Sequence, residues 1–174
     1  VVDLPQWPFR MSPADGFVIL GSCFAQHVGS RFSDYGMQAT VNPLGVLYNP
    51  LSIERVIMQT AQPCVEPFVF QHEGQFRCWL AGTQHIADTA EDCAAQIRET
   101  LSGLKHGIVN ARYVFITLGT NVVYRHKQLD AVVCNCHRVP QQAFIEERIS
   151  LYECTESLLR TIKSLLEINP DIRL

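Results

Sequence analysis

The sequence predicts an α/β domain with a central parallel sheet covered by helices in three layers, α/β/α. Three observations carry that expectation. Phe17 to Leu20 is an apolar run that passes through Gly21-Ser22-Cys23 straight into a helical pattern. Tyr113 to Leu118, YVFITL, is a near-continuous apolar run of the kind buried on both faces of a parallel sheet. Helical stretches alternate with these strands along the chain, which is the pattern of βαβ units. With 174 residues, 47% of them hydrophobic and 18% charged, the chain reads as a single domain spanning 1–174.

The elements follow in order. Phe24, Val28, Phe32 and Tyr35 recur at helical spacing and Gly36 supplies a stop, so 25–35 reads as an amphipathic helix. Met37 to Val41 is a short strand, and Asn42-Pro43-Leu44-Gly45 is a turn. Tyr48-Asn49-Pro50 leads to Ser52, read as the N-cap of a helix carrying Ile53, Val56 and Ile57, which residues 61–64 break. Between Pro67 and Trp79, FVFQH and QFRCW flank Glu73-Gly74 and predict a hairpin inserted into the alternating pattern. Thr89 to Leu104 reads as a helix with Cys93, Ala94, Ile97, Leu101 and Leu104 on its buried face and Gly107 as its end. Residues 122–134 read as a second hairpin-like excursion turning near Lys127. A long helix follows, opened by the capping box Ser150 to Glu153 and carrying Leu151, Cys154, Leu158, Ile162 and Leu165. Asn169-Pro170-Asp171 punctuates it, and Ile172 to Leu174 reads as the start of another strand, so the domain is expected to be cut short at its C-terminal end.

Composition narrows the function classes. A net charge of −3, with basic residues scattered, leaves no footprint for nucleic acid or an anionic membrane. No stretch approaches the ~20 apolar residues of a membrane span, and Val1 onward shows no basic-plus-apolar leader, although a chain starting with Val reads as trimmed or processed. Seven cysteines without a framework favour reduced thiols and a cytoplasmic setting. Small-molecule chemistry is the remaining class, with oligomeric state left open.

The turn after the first strand is where that chemistry is expected. A strand-to-helix elbow lifts one small polar side chain above the sheet edge and sets helix amides beside it. Three polar loops fall at predicted strand ends, Gly21 to Cys23, Asn42 to Gly45 and Gly119 to Asn121. Their convergence would supply a nucleophile from one loop and oxyanion donors from the other two. Cys134, Cys136 and His137 are metal-ligand types, but no second ligand pair accompanies them, so no metal and no cofactor is expected. His27 and His85 read as isolated surface or core groups.

The strings GSCFA at Gly21 to Ala25, NPLGVLYNP at Asn42 to Pro50, ITLGTN at Ile116 to Asn121 and NCHRVP at Asn135 to Pro140 occur in the order seen in the GSCFA family, which this chain resembles over most of its length. That family is similar to the SGNH, or GDSL-like, hydrolases, so the resemblance implies a flavodoxin-like three-layer fold and esterase or acyltransferase chemistry. It implies Cys23 as nucleophile, or Ser22 if the turn is shifted by one residue, because the superfamily Gly-Asp-Ser aligns on Gly21-Ser22-Cys23. It further implies Gly45 and Asn121 as oxyanion donors, each typically worth ~3 kcal/mol, with Asn42, Gly119 and His137 lining the substrate site. Two departures stand out. A thiol replaces the serine hydroxyl, and no aspartate has a histidine three residues later, so the superfamily's Asp-x-x-His base is expected beyond Leu174. The implied substrate is a small-molecule or glycan ester, thioester or O-acyl group, and the alternative is a non-catalytic carbohydrate or acyl-group binding module.

Overall fold

The computed structural model describes residues 10–174, and the reading of the chain's start at Val1 lies outside them. Strand β1, Gly16–Gly21, is followed after one residue by helix α1, Cys23–Asp34, and then by β2, Gln38–Val41. Alternation along β1 separates two cores. Phe17 and Ile19 pack with Ala25, Val28 and Phe32 of α1. Val18 and Leu20 point into the larger cluster. Phe17 meets Phe32 edge-on at 4.9 Å and stacks on Tyr113 at 5.6 Å, pairs worth about 0.5–1.5 kcal/mol each beyond burial.

The α1 stripe differs from the one read in the sequence. Phe24 is 67% and Tyr35 76% exposed, while Ala25 and Gly29 are buried. A Cβ on Gly29 would stand 2.4 Å from both Val41 methyls, so the helix lies too close to β2 for a larger side chain there. Helix α2 is Pro50–Ala61, and its N-cap is Asn49 rather than Ser52. The Asn49 side chain accepts from the Ser52 amide at 2.9 Å, with Pro50 at the first helical position, where a missing N–H costs nothing.

The predicted hairpin is present as β3, Val69–His72, and β4, Gln75–Cys78, turning at Glu73 and Gly74, both with positive φ. Helix α3, Ala90–Asn110, starts at the Thr89 cap but runs past Gly107. Gly107 is a close-approach position instead of a stop, because a Cβ there would meet Thr40 Oγ1 at 2.7 Å. Cys93, Ala94, Ile97, Leu101 and Leu104 are buried as expected. Strand β5, Tyr113–Thr117, pairs parallel with β1, which pairs parallel with β2, giving the order β2-β1-β5.

Beyond β5 the chain leaves this sheet. Strands β6, Val122–His126, β7, Ala131–Val133, and β8, Phe144–Arg148, form an antiparallel sheet ordered β7-β6-β8. The sequence reading anticipated β6 and β7 but gave β8 no strand, because FIEER carries three charges and shows no clean alternation. Helix α4, Leu151–Ile168, opens with the full Ser150–Glu153 capping box. Its buried face is Ser157, Thr161 and Leu165, and Leu151 is 84% exposed. Arg160 on α4 forks onto Glu54 of α2. The Asn169 side chain donates to the carbonyls of Ile108 and Ala111, closing the end of α3. Arg173 then bridges Tyr113 in parallel, extending the first sheet beside β5. The architecture is mixed α/β: a three-stranded parallel sheet with four helices, plus two antiparallel additions.

Candidate functional site

The elbow is fixed by a glycine that no other residue could replace without moving β5. Gly21 has φ +131, and a Cβ there would lie 2.0 Å from the Thr117 carbonyl oxygen. Its own N–H donates to Asn42 Oδ1 at 2.8 Å, and its carbonyl accepts from Leu47 at 2.8 Å. The Ser22 amide donates to Thr117, and the two hydroxyls, Ser22 Oγ and Thr117 Oγ1, stand 2.9 Å apart. Ser22 is the N-cap of α1, yet its side chain makes no capping bond. The first-turn amides of α1 therefore receive nothing from it, and such an end attracts anions.

Cys23, the first residue of α1, is exposed, and its Sγ lies 3.1 Å from Tyr48 Oη. That bond, then burial, raises the Tyr48 phenol above its ordinary value. The Tyr48 carbonyl accepts from both Gly119 and Thr120, at 2.8 and 3.1 Å. A Cβ on Gly119 would meet the Tyr48 ring at 3.1 Å and Ser22 Cβ at 3.4 Å, so this loop is pressed against the elbow. Ser22, Cys23, Tyr48, Thr117 and Gly119 thus form one constellation at the carboxyl ends of β1 and β5, the side where open α/β sheets bind ligands.

Asn42 reaches the same constellation through its side chain, and Gly45 stands behind it through the backbone. Asn42, 4% exposed with φ +39, holds the Gly21 amide. Gly45, φ +94, donates its N–H to the Asn42 carbonyl at 2.7 Å, and its Cβ position is filled by Gly82 and Gln84. Asn121 points elsewhere: its side-chain nitrogen donates to the Ile149 carbonyl at 3.0 Å, and Ile149 N–H donates back to the Asn121 carbonyl. His137 is 1% exposed, with Nε2 on the Cys78 carbonyl at 2.9 Å and its ring edge-on to Phe70 and Trp79. Burial pulls it down to about 4. Among the described residues, no histidine is bonded to Cys23 or Ser22.

Residues 16–174 match the model of the GSCFA family. The chain belongs to the GSCFA family. No curated protein matches it. No solved structure matches it either. The GSCFA string itself is the elbow, running from Gly21 through the Ser22 cap into the first turn of α1.

The sequence reading of this GSCFA chain treated Tyr48 only as the approach to a helix. The missed signal was its place in NPLGVLYNP, one residue before an Asn-Pro helix start, which fixes the ring beside the turn. Thr117 was equally silent as one letter of a buried strand. A cavity of about 400 Å³ opens beside Tyr48 and Thr120 and is walled by the β6-β7-β8 addition.

Proposed function

We propose that this domain is an SGNH-like hydrolase or acyltransferase, with the three-layer α/β/α arrangement of that superfamily, that carries its acyl group on Cys23. The observation that supports this most directly is the exposed Cys23 thiol at the first turn of α1, held by the Tyr48 hydroxyl at 3.1 Å. Cys23 Sγ attacks the carbonyl carbon of an ester or thioester, the C–S bond forms, and the C–O or C–S bond to the leaving group breaks. The leaving alcohol or thiol departs with a proton, and water or an acceptor alcohol then attacks the thioester and restores the thiol. Tyr48, held in its protonated form, donates a hydrogen bond either to Sγ or to the developing oxyanion, alongside the first-turn amides of α1. Gly45 and Asn121 join as donors only by giving up or sharing their bonds to Asn42 and Ile149. Ser22 is the other possible nucleophile, with Thr117 on its hydroxyl.

Those prior engagements favour the second reading, a non-catalytic module that binds a carbohydrate or acyl group at the same place. Among the described residues no helix is long and apolar enough to cross a membrane. The cysteine composition supports a reducing, cytoplasmic setting.

Incubation with an acetyl thioester separates the readings. The enzyme reading expects one acetyl group per chain by intact mass, mapped to Cys23 and lost in Cys23→Ala. An adduct on Ser22 would move the nucleophile by one residue, and no adduct at either would leave the binding module.

A further inference from the structure

We infer that the cavity beside Tyr48 is the acyl-binding site, and that it selects an uncharged acyl chain carrying a hydrogen-bond acceptor such as an amide carbonyl. This rests on the acyl-transfer reading. Tyr48 links the two places: its hydroxyl touches Cys23 Sγ while the residue lines the cavity. Cys23 does not itself line the cavity, so the route is Tyr48: an acyl chain on Sγ that follows this side chain enters the cavity and meets Val122 and Val133, the apolar part of the wall. A volume of about 400 Å³ lies within the range of small-ligand sites, roughly 300–1,000 Å³.

Two amides set the polarity. Asn49 lines the cavity and is 6% exposed; its Oδ1 is taken by the Ser52 amide at 2.9 Å. Asn135 lines it too, with Oδ1 taken by the His137 amide at 2.7 Å. Each oxygen already accepts a backbone N–H, whereas both NH₂ groups are without a partner among the described residues, so the unspent hydrogen-bonding capacity of the pair is mainly donor. Preset donors in a largely apolar wall suit a carbonyl or ether oxygen. Glu146, accepting from the Tyr124 hydroxyl at 3.2 Å, is the one formally charged side chain among the described residues that line the cavity. A carboxylate at that wall disfavours an anionic chain.

The test is a titration of isotopically labelled chain with hexanamide, followed by the backbone amide shifts of Val122, Val133 and Asn135. Saturable shifts confined to this wall are expected, with hexanoate binding about tenfold or more weaker, and Glu146→Gln narrowing that gap. Asn49→Asp and Asn135→Asp keep the oxygen that each backbone amide needs while deleting the donor, so each should fold normally and weaken hexanamide about five- to tenfold. Val122→Trp should fill the space and abolish binding. Shifts that map elsewhere, equal binding of hexanoate and hexanamide, or unchanged binding by both aspartate variants would overturn the inference. Cys23 acetylation is scored separately. Acetylation without hexanamide binding removes this inference and leaves the enzyme reading, whereas binding without acetylation leaves a ligand cavity beside an inert thiol.

Discussion

Tyr48 Oη lies 3.1 Å from Cys23 Sγ, and the Tyr48 carbonyl holds the amides of Gly119 and Thr120. One residue therefore contacts the elbow with its side chain and the third polar loop with its backbone. The two roles separate on substitution. Tyr48→Phe keeps the carbonyl and should cost about 1 kcal/mol or less in urea unfolding, since the lost bond is exposed. In Cys23→Ala the phenol should ionise at lower pH, because the bond to Cys23 is the main cause of its raised value. Difference absorbance against Tyr48→Phe reads this directly, and an unchanged midpoint would remove the Cys23–Tyr48 interaction.

Thiol accessibility gives a second outcome. Cys23 and Cys64 are exposed, whereas Cys78 and Cys93 are buried, and burial pushes the Cys78 thiol up to about 12. Iodoacetamide near neutral pH should label Cys23 well before Cys78 and Cys93, as followed by peptide mass spectrometry. Uniform slow labelling would contradict the exposed elbow.

His137 makes stability depend on pH. Unfolded, it takes a proton near 6.5; folded, only near about 4. Between those values the unfolded chain binds more protons, so stability falls as pH drops from 7 toward 4. The contribution of this group is about 3 kcal/mol at most. His137→Asn, a residue that tolerates the φ of +50 found there, should flatten that part of the profile. Parallel wild-type and variant curves in urea between pH 4.5 and 7.5 would refute it.

Two glycines of α3 should respond in opposite directions to alanine. Gly103 has nothing within 4 Å of a Cβ, so Gly103→Ala should stabilise by about 0.5–1 kcal/mol. Gly107→Ala drives a methyl to 2.7 Å from Thr40 Oγ1 and should destabilise by about 1–3 kcal/mol. Thermal melts of the pair check both signs.

The parallel β1 and β5, the Glu73-Gly74 hairpin and the capped α4 were legible because each has a local cause in consecutive residues: an apolar run, a turn pair, a capping box. The errors share a different origin. Gly107 looks like a stop, and Phe24 and Tyr35 like part of the buried stripe of α1, until the neighbouring strand is known, because Gly107 stands against Thr40 and the close face of α1 is Gly29 against Val41. At the site, the order of the loops placed Ser22, Cys23 and Gly119 together, along with Asn42 and Gly45. Spacing could not foresee that Asn121 would turn to Ile149, or that His137 would sit among Phe70 and Trp79, since both outcomes depend on side-chain direction in the antiparallel addition.

The reciprocal pair of bonds between Asn121 and Ile149 closes the loop of chain that leaves after β5 and returns at α4. Residues 122–148 therefore begin and end at one point, while their middle is tied to the end of β4 by the Cys134 amide on the Trp79 carbonyl and by His137 on the Cys78 carbonyl. Fastenings at the ends and in the middle fix where its wall of the cavity stands relative to Tyr48. Selectivity and fold are then coupled: a change inside 122–148 that breaks the Trp79 or Cys78 contact shifts the wall that faces Tyr48 as well as the side chains it carries.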